Sequence, residues 1–150
     1  MTSYRPHFFE DFDEGQTFET PGRTLSQAFV DQYAMVSGDW AEHHTNQEYA
    51  EETIYGDRIA HGFLVFSVGT GLLYQTGVFS RTLTAVTEVS VKFPNATYVG
   101  DTISGEFEIT HTSSDAPFDS VGTIGIKGKM MNQNDALVCL TEAEFLVKRE

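Results

Sequence analysis

Asp39 and His44 lie five residues apart in Ser37-Gly38-Asp39-Trp40-Ala41-Glu42-His43-His44-Thr45-Asn46, a glycine-led loop. A carboxylate and an imidazole facing one pocket can pass protons to and from a water held between them. Shortly after comes Ile59-Ala60-His61-Gly62-Phe63-Leu64, a small-residue turn that opens a long apolar run. A helix that starts there presents uncommitted backbone N–H groups and the positive end of its dipole. Beside the pair, such an N-terminus can hold a developing oxyanion. These are the parts for adding water across a polarised double bond, or for removing it.

Other chemistries lack their parts. His43, His44 and His61 do not follow zinc-site spacing, and no cysteine pair supports them, so no metal is expected. Gly69-Thr70-Gly71 is followed by no Lys-Ser/Thr, so it is not a phosphate loop. Gly122, Gly125 and Gly128 fall in a strand pattern and match no nucleotide fingerprint. No Gly-x-Ser-x-Gly nucleophile motif is present.

The elements that must position the pair follow from patterning. Ser26 reads as an N-cap, and Phe29, Val30, Tyr33, Ala34 and Val36 after it keep helical spacing until Gly38. Asn46 can cap a second short helix, Gln47 to Ile54, with Gly56 as its terminator. Gly62 to Gln75 is apolar nearly all round, which predicts a helix buried on all sides. Its glycines, Gly69 and Gly71, allow close backbone packing.

Strands fill the second half. Thr87, Val89, Val91 and Phe93 share one face, and Ile103, Gly105, Phe107 and Ile109 alternate strictly with polar residues. Val121 to Met131 and Ala136 to Val147 form two more, joined by the hairpin turn Asn132-Gln133-Asn134-Asp135. Gln16 to Leu25, broken at Pro21-Gly22, is a short extended segment. Helices first and antiparallel strands after indicate an α+β class, a curled sheet on one buried helix.

At 150 residues the chain fits one domain, 1–150, able to bury a core without disulfides or metal. Its one cysteine, Cys139, falls in an apolar strand pattern and reads as a buried structural thiol. Met1 to Asp13 has no signal-peptide pattern, and the apolar-rich stretch Phe63 to Leu73 is too short to span a bilayer. The expectation is a soluble, cytoplasmic chain with no membrane partner. A net charge of −13 argues against nucleic acid, which needs a basic surface to displace counterions. Spread along the chain, the acidic residues fit either a strongly hydrated surface of the high-salt kind or plain solubility.

Taken together, these blocks resemble the MaoC-like dehydratases and (R)-specific enoyl-CoA hydratases. The family's hydratase pattern is Gly-Asp, then Asn-Pro, an aliphatic residue and His. Ala-His-Gly-aliphatic follows at the start of the central helix. Gly38-Asp39 and His44 stand in register, and Ile59-Ala60-His61-Gly62-Phe63-Leu64 is a close match. Phe93-Pro94 and Val99-Gly100-Asp101-Thr102 resemble a later strand and turn of the family. The resemblance runs from about Phe9 to Phe145. Ala41 replaces the family's asparagine, Glu42 its proline and His43 its aliphatic residue.

That resemblance implies the hotdog fold, an antiparallel sheet wrapped around a long central helix. It implies addition of water to a trans-2-enoyl-CoA thioester, or the reverse dehydration. Asp39 and His44 then move protons, with their division of labour open, and the Gly62 N–H faces the oxyanion. Thr70 aligns with a pocket serine or threonine, against the alternative of a hydroxyl bonded to its own helix. His61 is assigned to orienting the turn. Tyr33, Trp40, Phe63 and Phe66 read as core or acyl-pocket wall. The ligand is an acyl-CoA substrate with no separate cofactor, and the partner a second copy, two sheets joining edge to edge. Lys92, Arg58 and Arg81 are conceivable phosphate contacts, and surface solubility explains each equally. Two other readings stand: an acyl-CoA thioesterase of the same fold, and a non-catalytic acyl-thioester-binding module that lost activity with the asparagine at position 41.

Overall fold

The computed structural model describes residues 4–150. A 3₁₀ turn, Phe9–Asp11, precedes two short strands, β1 (Thr17–Glu19) and β2 (Arg23–Thr24). Helix α1 (Gln27–Ser37) starts where expected: the Ser26 hydroxyl accepts the Phe29 N–H at 3.3 Å. It stops at Gly38, which takes the left-handed conformation at φ 80°. Two short helices follow, α2 (Glu42–Thr45) and α3 (Gln47–Glu51). Asn46 caps α3 through Tyr49 N–H as predicted. That helix ends at Glu51 rather than Ile54, and Gly56 turns the chain beyond it at φ 71°. At four residues, α2 is too short to leave a periodic pattern in sequence.

Helix α4 spans Gly62–Gln75, the range its apolar pattern predicts. It packs on the sheet through Leu64, Val65, Gly69, Leu72 and Leu73, all buried. Gly69 meets the Met130 side chain, whereas Gly71 faces open space. The expectation of burial all round is corrected here. Phe63 is 63% and Tyr74 52% exposed, on one stripe of the helix with Ser67. The intramolecular sheet covers only part of this helix; on its exposed stripe, Phe63 meets the Phe93 ring edge-on with centroids 6.0 Å apart.

Four long strands complete the chain: β3 (Leu83–Lys92), β4 (Thr102–Ser113), β5 (Val121–Met131) and β6 (Leu137–Lys148). The antiparallel order is β1-β4-β5-β6-β3, with β2 also on β4. The β5–β6 hairpin turns on Asn132, whose side-chain carbonyl accepts the N–H of Asn134 at 2.9 Å and of Ala136 at 3.0 Å. Ile103, Gly105, Phe107 and Ile109 of β4 face the core and their neighbours face out, as the period-two pattern requires. In β3 the expected alternation fails partway, because register shifts fall between Leu83 and Ala85 and between Val86 and Glu88. Extra residues at such bulges turn the chain over. Leu83, Val86 and Val89 therefore line one cavity. Cys139 is fully buried, and burial pushes its thiol up to about 11.

Candidate active site

Asp39 comes directly after the left-handed Gly38 that ends α1. The loop is stapled twice: the Ser37 hydroxyl accepts Asp39 N–H at 3.1 Å, and the Asp39 carboxylate accepts Ala41 N–H at 3.2 Å. Asp39 is exposed within the chain. His44, one turn into α2, is only 5% exposed. Its Nδ1–H donates to the Ile59 carbonyl at 2.8 Å. A carbonyl can only accept, so the tautomer is set and Nε2 is left with a free lone pair.

His61 lies immediately before α4 and is 2% exposed. Its Nε2–H donates to the Asp39 backbone carbonyl at 2.9 Å, tying the two motif blocks together. Its Nδ1 is buried without a partner. One carboxylate oxygen of Asp39 and one ring nitrogen each of His44 and His61 lie within 4.8 Å of one another. The rings of His44 and His61 lie against each other, with centroids 3.8 Å apart and planes tilted by 32°. A carboxylate oxygen and ring nitrogens this close can share a proton or a water.

Burial pushes the His44 imidazole below its ordinary range. Repulsion from His61 and His43 adds to this, while the Ile59 carbonyl and Asp39 oppose it. The lowered range favours a neutral ring able to take a proton.

Gly62 is the first residue of α4. No side chain caps this end, and the first internal bond is Val65 N–H to His61 carbonyl at 3.1 Å. The N–H groups of Gly62, Phe63 and Leu64 thus have no acceptor inside the helix. A Cβ at position 62 would stand 3.0 Å from the tip of the Phe93 ring, so any larger residue there would press that ring aside. His44 and Gly62 share a cavity of about 360 Å³ with His43, Tyr55, Phe93 and Thr97.

Thr70 is placed elsewhere. It lies eight residues further along α4, about 12 Å along the axis. Its hydroxyl donates to the Ser67 carbonyl at 2.9 Å. Its side chain lines a second cavity of about 310 Å³, apolar, with Phe66, Leu73, Val86, Phe107 and Phe145. The structure thus brings Asp39, His44 and Gly62 to one end of α4 and sets Thr70 toward the other.

Sequence reasoning missed two contributions, from His43 and Phe93, and part of a third. His61, assigned to orienting the turn, bonds the Asp39 backbone carbonyl, and its ring also lies against His44. His43 packs on His44, with centroids 4.0 Å apart. Phe93, noted only as a strand match, covers Gly62. His61 had a signal in its motif position and His43 in its place next to His44; the Phe93 contact is tertiary, and nothing local marks it.

Comparison with known proteins gives the family and the fold. Over 138 residues the chain is 28% identical to an (R)-specific enoyl-CoA hydratase of Rhodospirillum rubrum, covering 88% of this chain and 90% of that protein. It is 37% identical over 71 residues to Protein MaoC of Klebsiella aerogenes, a match covering 47% of this chain but only 21% of that longer protein. A solved Mycobacterium tuberculosis structure with a double hotdog fold superposes with TM-score 0.84 at 21% identity, covering 97% of this chain and 45% of that one. The six-stranded antiparallel sheet around α4 is accordingly a hotdog fold of α+β class. The family model described as MaoC like domain matches residues 11–126, and this chain belongs to that family.

Proposed function

We propose that the chain, read as one domain over 1–150, is an (R)-specific enoyl-CoA hydratase, acting also in reverse as a 3-hydroxyacyl-CoA dehydratase. The observation that carries this reading is the meeting of a neutral buried imidazole, a carboxylate and an uncapped helix N-terminus at one end of α4.

His44 Nε2 takes a proton from a water that Asp39 helps to hold. The water oxygen bonds to Cβ, and the π electrons move onto the thioester oxygen as an enolate. The Gly62 N–H faces that oxygen, fixed in place before charge develops. His44 then returns its proton to Cα, and the thioester bond stays intact. Asp39 balances the imidazolium in between. No separate cofactor enters these steps.

The tail of the substrate extends along α4 toward the apolar cavity at Thr70, where there is volume but no charge. Strand β3 supports a second copy as partner. It pairs only with β6, and its free edge carries Val86 at 50% and Val89 at 41% exposure, beside the exposed stripe of α4. Among the described residues no helix is long and apolar enough to cross a membrane, and we place the protein in the cytoplasm.

Crotonyl-CoA tests the reading. Loss of enoyl absorbance without free thiol is the expected result. Release of free thiol would make the protein a thioesterase, and binding without either change would make it a carrier or assembly module.

A further inference from the structure

His43 is out of place for the family, whose pattern has an aliphatic residue there. In this fold its ring lies against His44, with centroids 4.0 Å apart at 58°. His61 lies against His44 at 3.8 Å, and Tyr33 against His61 at 4.7 Å. The rings form a row, Tyr33–His61–His44–His43, with the reactive imidazole flanked by two others. The His43 backbone carbonyl accepts Ile59 N–H at 3.1 Å, while the Ile59 carbonyl accepts His44 Nδ1–H at 2.8 Å. One residue, Ile59, therefore fixes the backbone of the first ring and the edge of the second.

We propose that His43 is a positioning residue: with His61 it holds the His44 imidazole as a neutral base with one ring nitrogen left free. The catalytic half of this statement rests on the hydration reading; the row of rings itself does not. A proton placed on any of three imidazoles in contact is opposed by charge on its neighbours, and the opposition grows where water is excluded. His44 is 5% and His61 2% exposed, so the middle ring has little solvent to offset that opposition. The aliphatic side chain of the family pattern can pack there but cannot oppose a charge.

The other groups around His44 are accounted for. Asp39 on the preceding loop is the one carboxylate acting directly on it, and it favours the charged ring. Asp31 of α1 reaches it only through Gln27, whose amide donates to Asp31 at 2.8 Å and to the His44 carbonyl at 3.5 Å. Tyr55 lines the shared cavity, and neither Phe93 to Thr97 nor Val138 of β6 brings a charge to it. Burial is the largest opposition to protonation, and His61 and His43 are the groups that add to it.

The test is a histidine NMR titration of the whole protein without substrate, with His44→Gln used to assign the resonance. Wild-type His44 titrates below the ordinary imidazole range. In His43→Gln it moves up by about half a pH unit. The acid limb of kcat/KM for crotonyl-CoA moves with it, lowering the rate about twofold at the wild-type half-maximum. His44 titrating at the same pH in wild type, His43→Gln and His43→Asn overturns the proposal. If both variants unfold, His43→Leu, which restores the family's aliphatic type, decides: a His44 titration unmoved from wild type overturns the proposal and an upward shift supports it. A titration that moves in a protein with no hydratase activity would keep the row of rings and remove the hydration reading.

Discussion

The two ends of α4 contrast in everything but the helix they share. At its start stand Asp39, His44, His61 and an uncapped N-terminus, with His44 and Gly62 on a cavity of about 360 Å³. Toward its end lies a cavity of about 310 Å³ walled by Phe66, Leu73, Val86, Phe107 and Phe145. The first is built from loops and helix ends, where backbone N–H and carbonyl groups are free to bond side chains. The second is built from helix face and strand face, whose backbone groups are already paired and offer only shape. The contrast assigns chemistry to the first end and selection among acyl chains to the second, so substitutions at the two should fail in different ways.

The largest effect is expected from Asp39→Asn. Losing the carboxylate that holds the water and balances the imidazolium should lower kcat for crotonyl-CoA by about 10²- to 10⁴-fold. Circular dichroism should be unchanged, because Asp39 is exposed. An active Asp39→Asn would move the chemistry away from this end.

Next is Gly62→Ala. The added methyl meets Phe93 at 3.0 Å and occupies the approach to the N–H. A displaced substrate carbonyl should cost about tenfold to a hundredfold in kcat. Gly71→Ala on the same helix meets open space and serves as the control. Equal losses in the two variants would mean that helix flexibility, not carbonyl approach, is being measured.

Filling the far cavity should act on chain length alone. Val86→Phe is expected to leave crotonyl-CoA turnover within about twofold. It should reduce kcat/KM for longer enoyl chains by about tenfold, on the scale of a few methylenes in an apolar pocket. Uniform losses across chain lengths would erase the division between the ends.

A smaller effect concerns stability. His44 binds protons less readily folded than unfolded, because burial holds it below its ordinary range. As pH falls below about 6.5, the unfolded chain takes up more protons at this group, so stability present at neutral pH is lost. Tm should fall between about pH 7 and 5, and fall less in His44→Gln. Parallel curves for the two proteins would show that His44 carries no such linkage.

The far end of α4 was the more legible in sequence for its scaffold, and the near end for its chemistry. Strict alternation placed Phe107 inward, and the Asn132-Gln133-Asn134-Asp135 turn set the bounds of β5. Both signals are local. The cavity itself needed the bulges of β3, which bring Val86 where alternation would put Thr87, and no residue type announces them. At the near end, Asp39, His44 and Gly62 were readable from type and spacing. Their setting was not, because His61 meets His44 from the turn into α4 and Phe93 reaches Gly62 from beyond β3. The exposed stripe of α4, with Phe63 and Tyr74, escaped for a related reason. Apolar residues on every side of a helix show what must be covered, not whether the same chain covers it.

The most direct test of the central claim follows enoyl loss and thiol release together, for wild type and His44→Gln with crotonyl-CoA. The account predicts that wild type consumes the enoyl group, yields the (R)-3-hydroxy product and releases no thiol. His44→Gln should be folded and at least about a hundredfold slower. A His44→Gln protein that hydrates at the wild-type rate, or a wild type that releases thiol instead, would contradict it.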